Sequence, residues 1–310
     1  MKDEEQFSRN RITFTSDGVR CYGYLYLPAH NHKNVPCIIL ANGFSETMDY
    51  RLPKYVEHFV TAGFSVLIFD YRYLGESEGK PRQLINTRKQ REDIQNAILF
   101  LKNHESINHE KIVLWGTSLG GGHVIDVAAN DPSIAAVIAQ IPGIDMVSPK
   151  AKGSIKIPIG MLLKILLSAV WDGIRGLFGL KPYYIKVFSD TGETAVFTQK
   201  ELKPRFEVLT RSSSTWQNRF TPRFYLSPPR YKKGTAEKIK MPLLMCVADK
   251  EIYGNPSFQV WVGQQVPKGE VIHYDAEHFD FYDGDTFEKV VKDQIDFIRV
   301  HVVNSDKGRH

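Results

Sequence analysis

Cysteine is scarce in this chain of 310 residues, which contains only Cys21, Cys37 and Cys246. Their spacing fits no zinc-binding motif, and an odd number of cysteines cannot form a closed set of disulfides. Cys37 and Cys246 lie inside apolar runs, which predicts buried thiols. Because nothing indicates a disulfide framework, the cysteine content favours a reducing compartment, and we expect a cytoplasmic protein.

Long apolar runs are also absent. The N-terminal sequence MKDEEQFSRN is polar and lacks the apolar core of a secretory signal. Residues 155–180 are hydrophobic, but charges, a proline and glycines interrupt them, so no run of about 18 uncharged apolar residues exists. We expect a buried or cleft-facing helix pair there, with a helix lying in a membrane interface as the alternative. Membrane contact is not expected.

Dense blocks of one charge and cofactor motifs are missing as well. The net charge of +5 comes from 40 scattered basic residues, which predicts a solvated surface and no nucleic-acid binding. The sequence has no glycine-rich phosphate loop, no dinucleotide fingerprint and no His-Glu-x-x-His motif. No cofactor and no metal are therefore expected.

Short apolar runs do recur along the chain, at residues 35–41, 65–69, 111–115, 134–139, 243–248 and 271–274. Such runs are typical of strands that are buried on both faces of a parallel sheet, and helical patterns alternate with them. Residues 11–15 and 19–27 precede them as two strands around a turn. The pattern predicts an α/β fold with a doubly wound, mostly parallel sheet and antiparallel strands at its N-terminal start.

The region between residues 145 and 240 breaks this alternation. It begins with the hydrophobic stretch and continues as an irregular sequence rich in Ser, Thr, Pro and Arg. We therefore expect an inserted helical lid, or cap, over residues 145–240. The core would then consist of residues 1–144 and 241–310.

A Gly-x-Ser-x-Gly motif occupies residues 116–120, directly after the apolar run KIVLW and directly before a helical segment. This is the context of a nucleophile elbow, a sharp strand-to-helix turn that exposes a serine hydroxyl. Glycines flank the serine because the turn brings backbones too close together for side chains. The motif predicts that Ser118 is a catalytic nucleophile.

A serine nucleophile needs a base and an acid, which follow it along the chain in the order acid, then histidine. Of the ten histidines, His278 alone lies in the loop directly after the last predicted strand, beside the elbow. The acid should follow the run at 243–248. Glu251 is favoured over Asp249, because a carboxylate directly at a strand end more often caps the turn. Asp145 is a third candidate.

An oxyanion hole needs two N–H donors aimed at the developing negative charge. One is expected from the backbone of Leu119, the residue after the nucleophile. The other is expected from the backbone of Phe44, in the loop after the run at 35–41. Gly43 in this loop allows close approach of a substrate, and an ordinary Asn-Gly turn is the alternative explanation.

Four segments together resemble the α/β-hydrolase superfamily, above all its dienelactone hydrolase-like and acetyl xylan esterase-like branch. They are ANGFSETMDYRLPKY, FDYRYLGESEGKPRQ, VLWGTSLGGGHV and HFDFYDG, and the likeness extends over nearly the whole chain. The resemblance implies that Ser118 and His278 are members of a catalytic triad and that Phe44 and Leu119 supply the oxyanion amides.

Two departures from the family pattern accompany this resemblance. Relatives usually carry Gly-x-x-Asp after the seventh strand, and the corresponding Ala248-Asp249-Lys250-Glu251 puts Glu251 at the position of the acid. Relatives commonly have His-Gly where this chain has Asn42-Gly43.

The sequence therefore predicts a serine hydrolase that cleaves a carboxylic ester of a small molecule through an acyl-enzyme on Ser118. His278 would act as the general base and Glu251 as the acid. An apolar lid favours a partly hydrophobic acyl or alcohol group. A thioesterase or an acyltransferase with the same triad is one alternative, and a catalytically silent binding protein of the same fold is another.

Overall fold

The computed structural model describes residues 7–29 and 35–304 of the chain. A hairpin comes first, formed by strands β1 (Phe7–Ser16) and β2 (Val19–Pro28). Asp17 and Gly18 join them with φ angles of 48° and 74°, and two left-handed residues in the turn are typical of a type I′ hairpin. The predicted antiparallel start of the sheet is confirmed. Residues 1–6, on which the expected lack of a secretory signal partly depends, lie outside the described residues.

Six further strands complete the sheet: β3 (Cys37–Ala41), β4 (Ser65–Phe69), β5 (Ile112–Thr117), β6 (Ala136–Gln140), β9 (Leu243–Ala248) and β10 (Gly269–Tyr274). Their order is β1-β2-β4-β3-β5-β6-β9-β10, and all neighbours from β4 to β10 are parallel. Every residue of β3, β4, β5, β6 and β9 is buried, as the apolar runs predict. For β10 that prediction is wrong, because β10 is an edge strand and only its Tyr274 is buried.

Helices cover both faces of the sheet. On one face lie α1 (Leu52–Thr61) and α7 (Gly284–Ile298), and on the other lie α2 (Thr87–Lys102), α3 (Leu119–Ala128) and α6 (Pro256–Gln265). Each face has its own hydrophobic cluster, since alternate residues of a buried strand point to opposite faces. The predicted α/β-hydrolase architecture is thus present.

The segment between β6 and β9 contains one long helix, α4 (Ile159–Leu177), and a shorter one, α5 (Lys203–Ser212). Between them, β7 (Lys186–Phe188) and β8 (Ala195–Phe197) form a small parallel sheet of their own. The prediction of a helix pair at 155–180 is wrong. A single helix stands there, and only a narrow stripe of it, made of Ile165, Ala169 and Asp172, is buried.

The described helices lie within residues 7–29 and 35–304. None of these helices combines the length and the apolar character that a bilayer crossing requires.

Candidate active site

Ser118 occupies a sharp turn between the end of β5 and the start of α3. Its φ and ψ angles are 51° and −120°, a conformation that is costly for any residue with a side chain. A Cβ atom on Gly116 would lie 2.3 Å from the carbonyl oxygen of Gly120, and one on Gly120 would lie 2.3 Å from that of Ala41. Because neither position has room for a side chain, the flanking glycines are required by the packing, as the motif predicts.

The predicted site residues converge at one edge of the sheet. Ser118 follows β5, the loop at 42–46 follows β3, Glu251 follows β9 and His278 follows β10. In an α/β sheet the carboxyl ends of parallel strands meet at this edge, which is where ligands bind. The five predicted residues line one cavity of about 260 Å³: Phe44, Ser118, Leu119, Glu251 and His278.

His278 and Glu251 form a buried pair. The ring Nδ1 of His278 is hydrogen-bonded to Oε2 of Glu251, whose other oxygen accepts a hydrogen bond of 2.8 Å from the backbone N–H of Tyr253. The Glu251 side chain is 1% exposed and the His278 side chain 10%. Burial by itself raises the pKa of Glu251, but the charge of His278 and the hydrogen bonds from His278 and the backbone outweigh it and lower the pKa. The carboxylate is therefore kept ionised against the imidazole.

The two other candidate acids have different partners. Asp249 is 2.7 Å from Nδ1 of His273, and both side chains are about half exposed. Asp145 accepts hydrogen bonds from the backbone N–H and the hydroxyl of Ser148, and from the backbone N–H of Tyr231. These contacts make Asp145 a turn-capping group that joins the two ends of the segment between β6 and β9.

Two backbone N–H groups beside Ser118 are available to an oxyanion. Within the described residues, neither Phe44 N–H nor Leu119 N–H forms a hydrogen bond to a protein acceptor. The neighbouring Gly43 N–H is already bound, since it donates to Oε2 of Glu46 at 3.1 Å. A Cβ atom on Gly43 would be 3.4 Å from the Cβ of Ser118, so the loop lies directly against the nucleophile.

Glu46 itself belongs to an ion pair that the sequence did not reveal. Its Oε1 is 3.1 Å from the Arg51 guanidinium, with only 11% and 10% of the two side chains exposed. Arg51 also stacks over the ring of Tyr282, 3.9 Å from its centroid. Burial by itself lowers the pKa of Arg51, but Glu46 and the nearby tyrosines raise it above its ordinary value, so the guanidinium stays charged.

This ion pair borders the nucleophile. A small space beside the main cavity is lined by Glu46 and Arg51 together with Ser118 and His278. The sequence gives little indication of this pair. It shows only a glutamate and an arginine in the segment ANGFSETMDYRLPKY, whose composition is that of a solvated loop. Glu46 and Arg51 are buried because they pack against aromatic rings.

The described residues include no metal-binding cluster, and their cysteines are buried. Within residues 7–29 and 35–304, no cluster of three or more His, Cys, Asp or Glu side chains is arranged to hold a metal ion. Cys21, Cys37 and Cys246 are buried free thiols, as predicted for two of them. Burial raises the pKa of Cys21 and Cys246 to about 12, so neither forms a reactive thiolate at neutral pH.

Comparison with known proteins assigns the chain to a family. The family model described as X-Pro dipeptidyl-peptidase (S15 family) matches residues 17–174, which include the elbow. The chain belongs to this family of α/β-hydrolases. The superfamily predicted from the motifs, and the class of hydrolytic enzymes with it, are thereby confirmed.

Relatives of this hydrolase extend the likeness over nearly the whole chain. Quorum-quenching protein AidA of Acinetobacter baumannii (strain MDR-ZJ06) is 37% identical over 289 residues, 93% of each protein. Thiohydrolase apmlB of Arthrinium phaeospermum is 28% identical over 299 residues, 92% of this chain and 94% of that one. The crystal structure of α/β hydrolase GrgF from Penicillium sp. sh18 superposes with a TM-score of 0.78 at 26% identity, covering 96% and 99% of the two chains.

We predict that replacing Glu46 by Gln destabilises this hydrolase by about 3 kcal/mol, because Arg51 is left buried without a counter-charge. The double variant Glu46→Gln/Arg51→Met should recover most of that loss. Urea unfolding followed by circular dichroism measures both. Asp275→Asn, which breaks the exposed pair with Lys250, is the control and should cost at most about 0.5 kcal/mol. A double variant that is less stable than Glu46→Gln would contradict the ion-pair account.

Proposed function

We propose that this hydrolase cleaves carboxylic esters through an acyl-enzyme on Ser118, with His278 as the general base and Glu251 as the acid. The observation that carries the proposal is convergence: the strained serine, the His278–Glu251 pair and two unbonded amides all border one cavity. Each of these groups would have a distinct task in acyl transfer, and their shared cavity supports the proposal.

The steps follow from the chemistry of each group. His278 Nδ1 is held by Glu251, which leaves Nε2 to take the proton from the Ser118 hydroxyl. The hydroxyl oxygen attacks the ester carbonyl, and the oxygen that becomes negative accepts hydrogen bonds from Phe44 N–H and Leu119 N–H. His278 returns the proton to the departing alcohol, and water then releases the acid by the same sequence of steps.

The cavity supports an apolar substrate. Its lining includes hydrophobic side chains from the segment between β6 and β9, among them Ile155, Met161, Ile165 and Phe197. A small-molecule ester with a partly hydrophobic acyl or alcohol group would bury its apolar part there. Residues 145–240 would thus serve as the lid of a core formed by residues 1–144 and 241–310, in a protein that we place in the cytoplasm.

A thioester is the second candidate substrate. The observation that favours it is the relative named thiohydrolase apmlB. The acyl-enzyme would be the same, since only the leaving group changes from an alcohol to a thiol. An acyltransferase would differ in the last step, where an acceptor other than water takes the acyl group.

We predict that a fluorophosphonate probe labels the wild-type protein and fails to label Ser118→Ala. The probe reacts with a serine only if a base has activated it, so labelling separates an enzyme from a catalytically silent binding protein. Ser133→Ala removes a surface serine on the same stretch of chain and is the control, which should label normally. Equal labelling of the wild type and Ser118→Ala, or none of either, would overturn the proposal.

The choice between the two neighbouring carboxylates gives a second prediction. Glu251→Gln should lower kcat by about 10³- to 10⁴-fold, because an amide cannot stabilise the imidazolium of His278. Asp249→Asn should change kcat less than about twofold, since its partner is the exposed His273. Steady-state assays with a p-nitrophenyl ester measure both. The reverse ranking would transfer the role of the acid to Asp249.

A further inference from the structure

Helix α4 presents a broad apolar face that no described part of the chain covers. Exposed fractions reach 70% for Leu167, 86% for Leu177 and 51% for Trp171, which are high values for such side chains. The large apolar residues exposed on the helix and its C-terminal end are Ile159, Leu162, Leu163, Leu166, Leu167, Val170, Trp171, Ile174, Leu177, Phe178 and Leu180. A contiguous apolar patch of this kind marks an interaction surface.

Basic residues predominate among the charged residues of α4 and of the sequence on either side of it. Between residues 146 and 182 the charged residues are Lys150, Lys152, Lys156, Lys164, Arg175, Lys181 and a single acid, Asp172. Asp172 is fully buried and is neutralised by Arg223, which binds it at 2.6 Å and 2.9 Å. Among the described residues, no acidic side chain pairs with any of the five lysines. Residues 146–182 therefore carry an excess of positive charge.

The charges and the apolar residues are segregated around the helix. Lys164 and Arg175 lie about three turns apart and so share one flank, where the Arg175 guanidinium is 5.6 Å from the Trp171 ring. Leu163, Leu167 and the other exposed leucines occupy the outward face next to that flank. An apolar face bordered by cations and an interfacial tryptophan is the pattern of a helix that lies in a membrane surface.

The opposite side of the same helix belongs to the active-site cavity. Met161 and Ile165 of α4 line that cavity together with Ser118. Only the thickness of this one helix therefore separates its outer apolar face from the cavity that holds the nucleophile. A substrate dissolved in an apolar phase at the outer face would be close to Ser118.

We propose that α4 docks on an anionic lipid bilayer, with its apolar face in the headgroup–acyl boundary and with Lys164, Arg175 and the lysines that flank the helix in sequence against the lipid headgroups. The helix lies in the plane of the membrane, since it lacks the apolar length to cross it. Such docking corresponds to the interfacial helix that the sequence leaves as the alternative, and it differs from the favoured expectation that the protein makes no membrane contact. A second copy of the chain is a poorer occupant, because it would bring the same excess of positive charge to the contact.

Docking does not depend on the chemistry assigned to Ser118. The consequence of docking for catalysis does depend on the proposed function. A partly apolar ester would partition into the bilayer and enter the cavity beside α4. Membrane binding and hydrolysis can therefore fail independently, and Ser118→Ala should bind vesicles as well as the wild type.

The test is flotation of the full-length protein with vesicles of phosphatidylcholine alone or mixed with phosphatidylglycerol. We expect binding to the anionic vesicles that weakens as salt is raised. Leu167→Glu should weaken this binding by about tenfold or more, because it places a charge in the apolar boundary. Lys156→Glu/Lys164→Glu should weaken it by at least about fivefold for each cation removed.

Matched controls lie elsewhere on the surface. Leu99→Glu adds the same charge at a leucine of α2 that is 53% exposed, and Lys268→Glu reverses a lysine next to the start of β10, at the sheet edge away from the cavity. Both should float like the wild type. All variants alter exposed side chains, and circular dichroism verifies that they are folded.

Three results would overturn the proposal. The first is the absence of flotation with anionic vesicles. The second is flotation that Leu167→Glu and Lys156→Glu/Lys164→Glu leave unchanged. The third is a dimer, seen in sedimentation velocity, that Leu167→Glu dissociates, which would assign the face to a second copy of the chain.

Discussion

The close approach of backbones around Ser118 is the constraint on which the rest of the site depends. The carbonyl oxygen of Ala41 approaches α3 at Gly120. A Cβ atom on Gly122 would lie 2.3 Å from the carbonyl oxygen of Gly143. The carbonyl oxygen of Ser118 accepts a hydrogen bond of 2.7 Å from Gly143 N–H. The loops after β3 and β6 are thus fastened to the same turn, and their packing maintains the costly backbone conformation of the serine.

Much of this arrangement could be predicted, because it depends on local patterns. The apolar runs gave the buried strands, and the Gly-x-Ser-x-Gly motif between a strand and a helix gave Ser118. The position of His278 after the last strand is likewise a matter of chain order. Pairing of Glu251 with His278 was an expectation based on spacing, and the structure places these side chains in contact while it directs Asp249 to His273.

Other features depend on contacts that no local pattern encodes. The periodicity of an apolar strand does not reveal its neighbours, so β10 looked like a buried strand although it lies at the sheet edge. Hydrophobic residues at 155–180 likewise predicted burial, but only one stripe of α4 meets the rest of the chain. The pair of Glu46 and Arg51 was missed for the converse reason: charged residues in a loop are usually solvated, and here aromatic rings enclose them.

The central claim is that Ser118 carries the acyl group. Its most direct test is rapid acid quenching during turnover of a p-nitrophenyl ester or of the acyl-CoA with the same acyl chain, followed by peptide mass spectrometry. We expect the mass of the acyl group on Ser118 from at least one donor, and the donor that loads faster distinguishes an esterase from a thioesterase. An acyl group on another residue, or product release by Ser118→Ala at the wild-type rate, would contradict the mechanism.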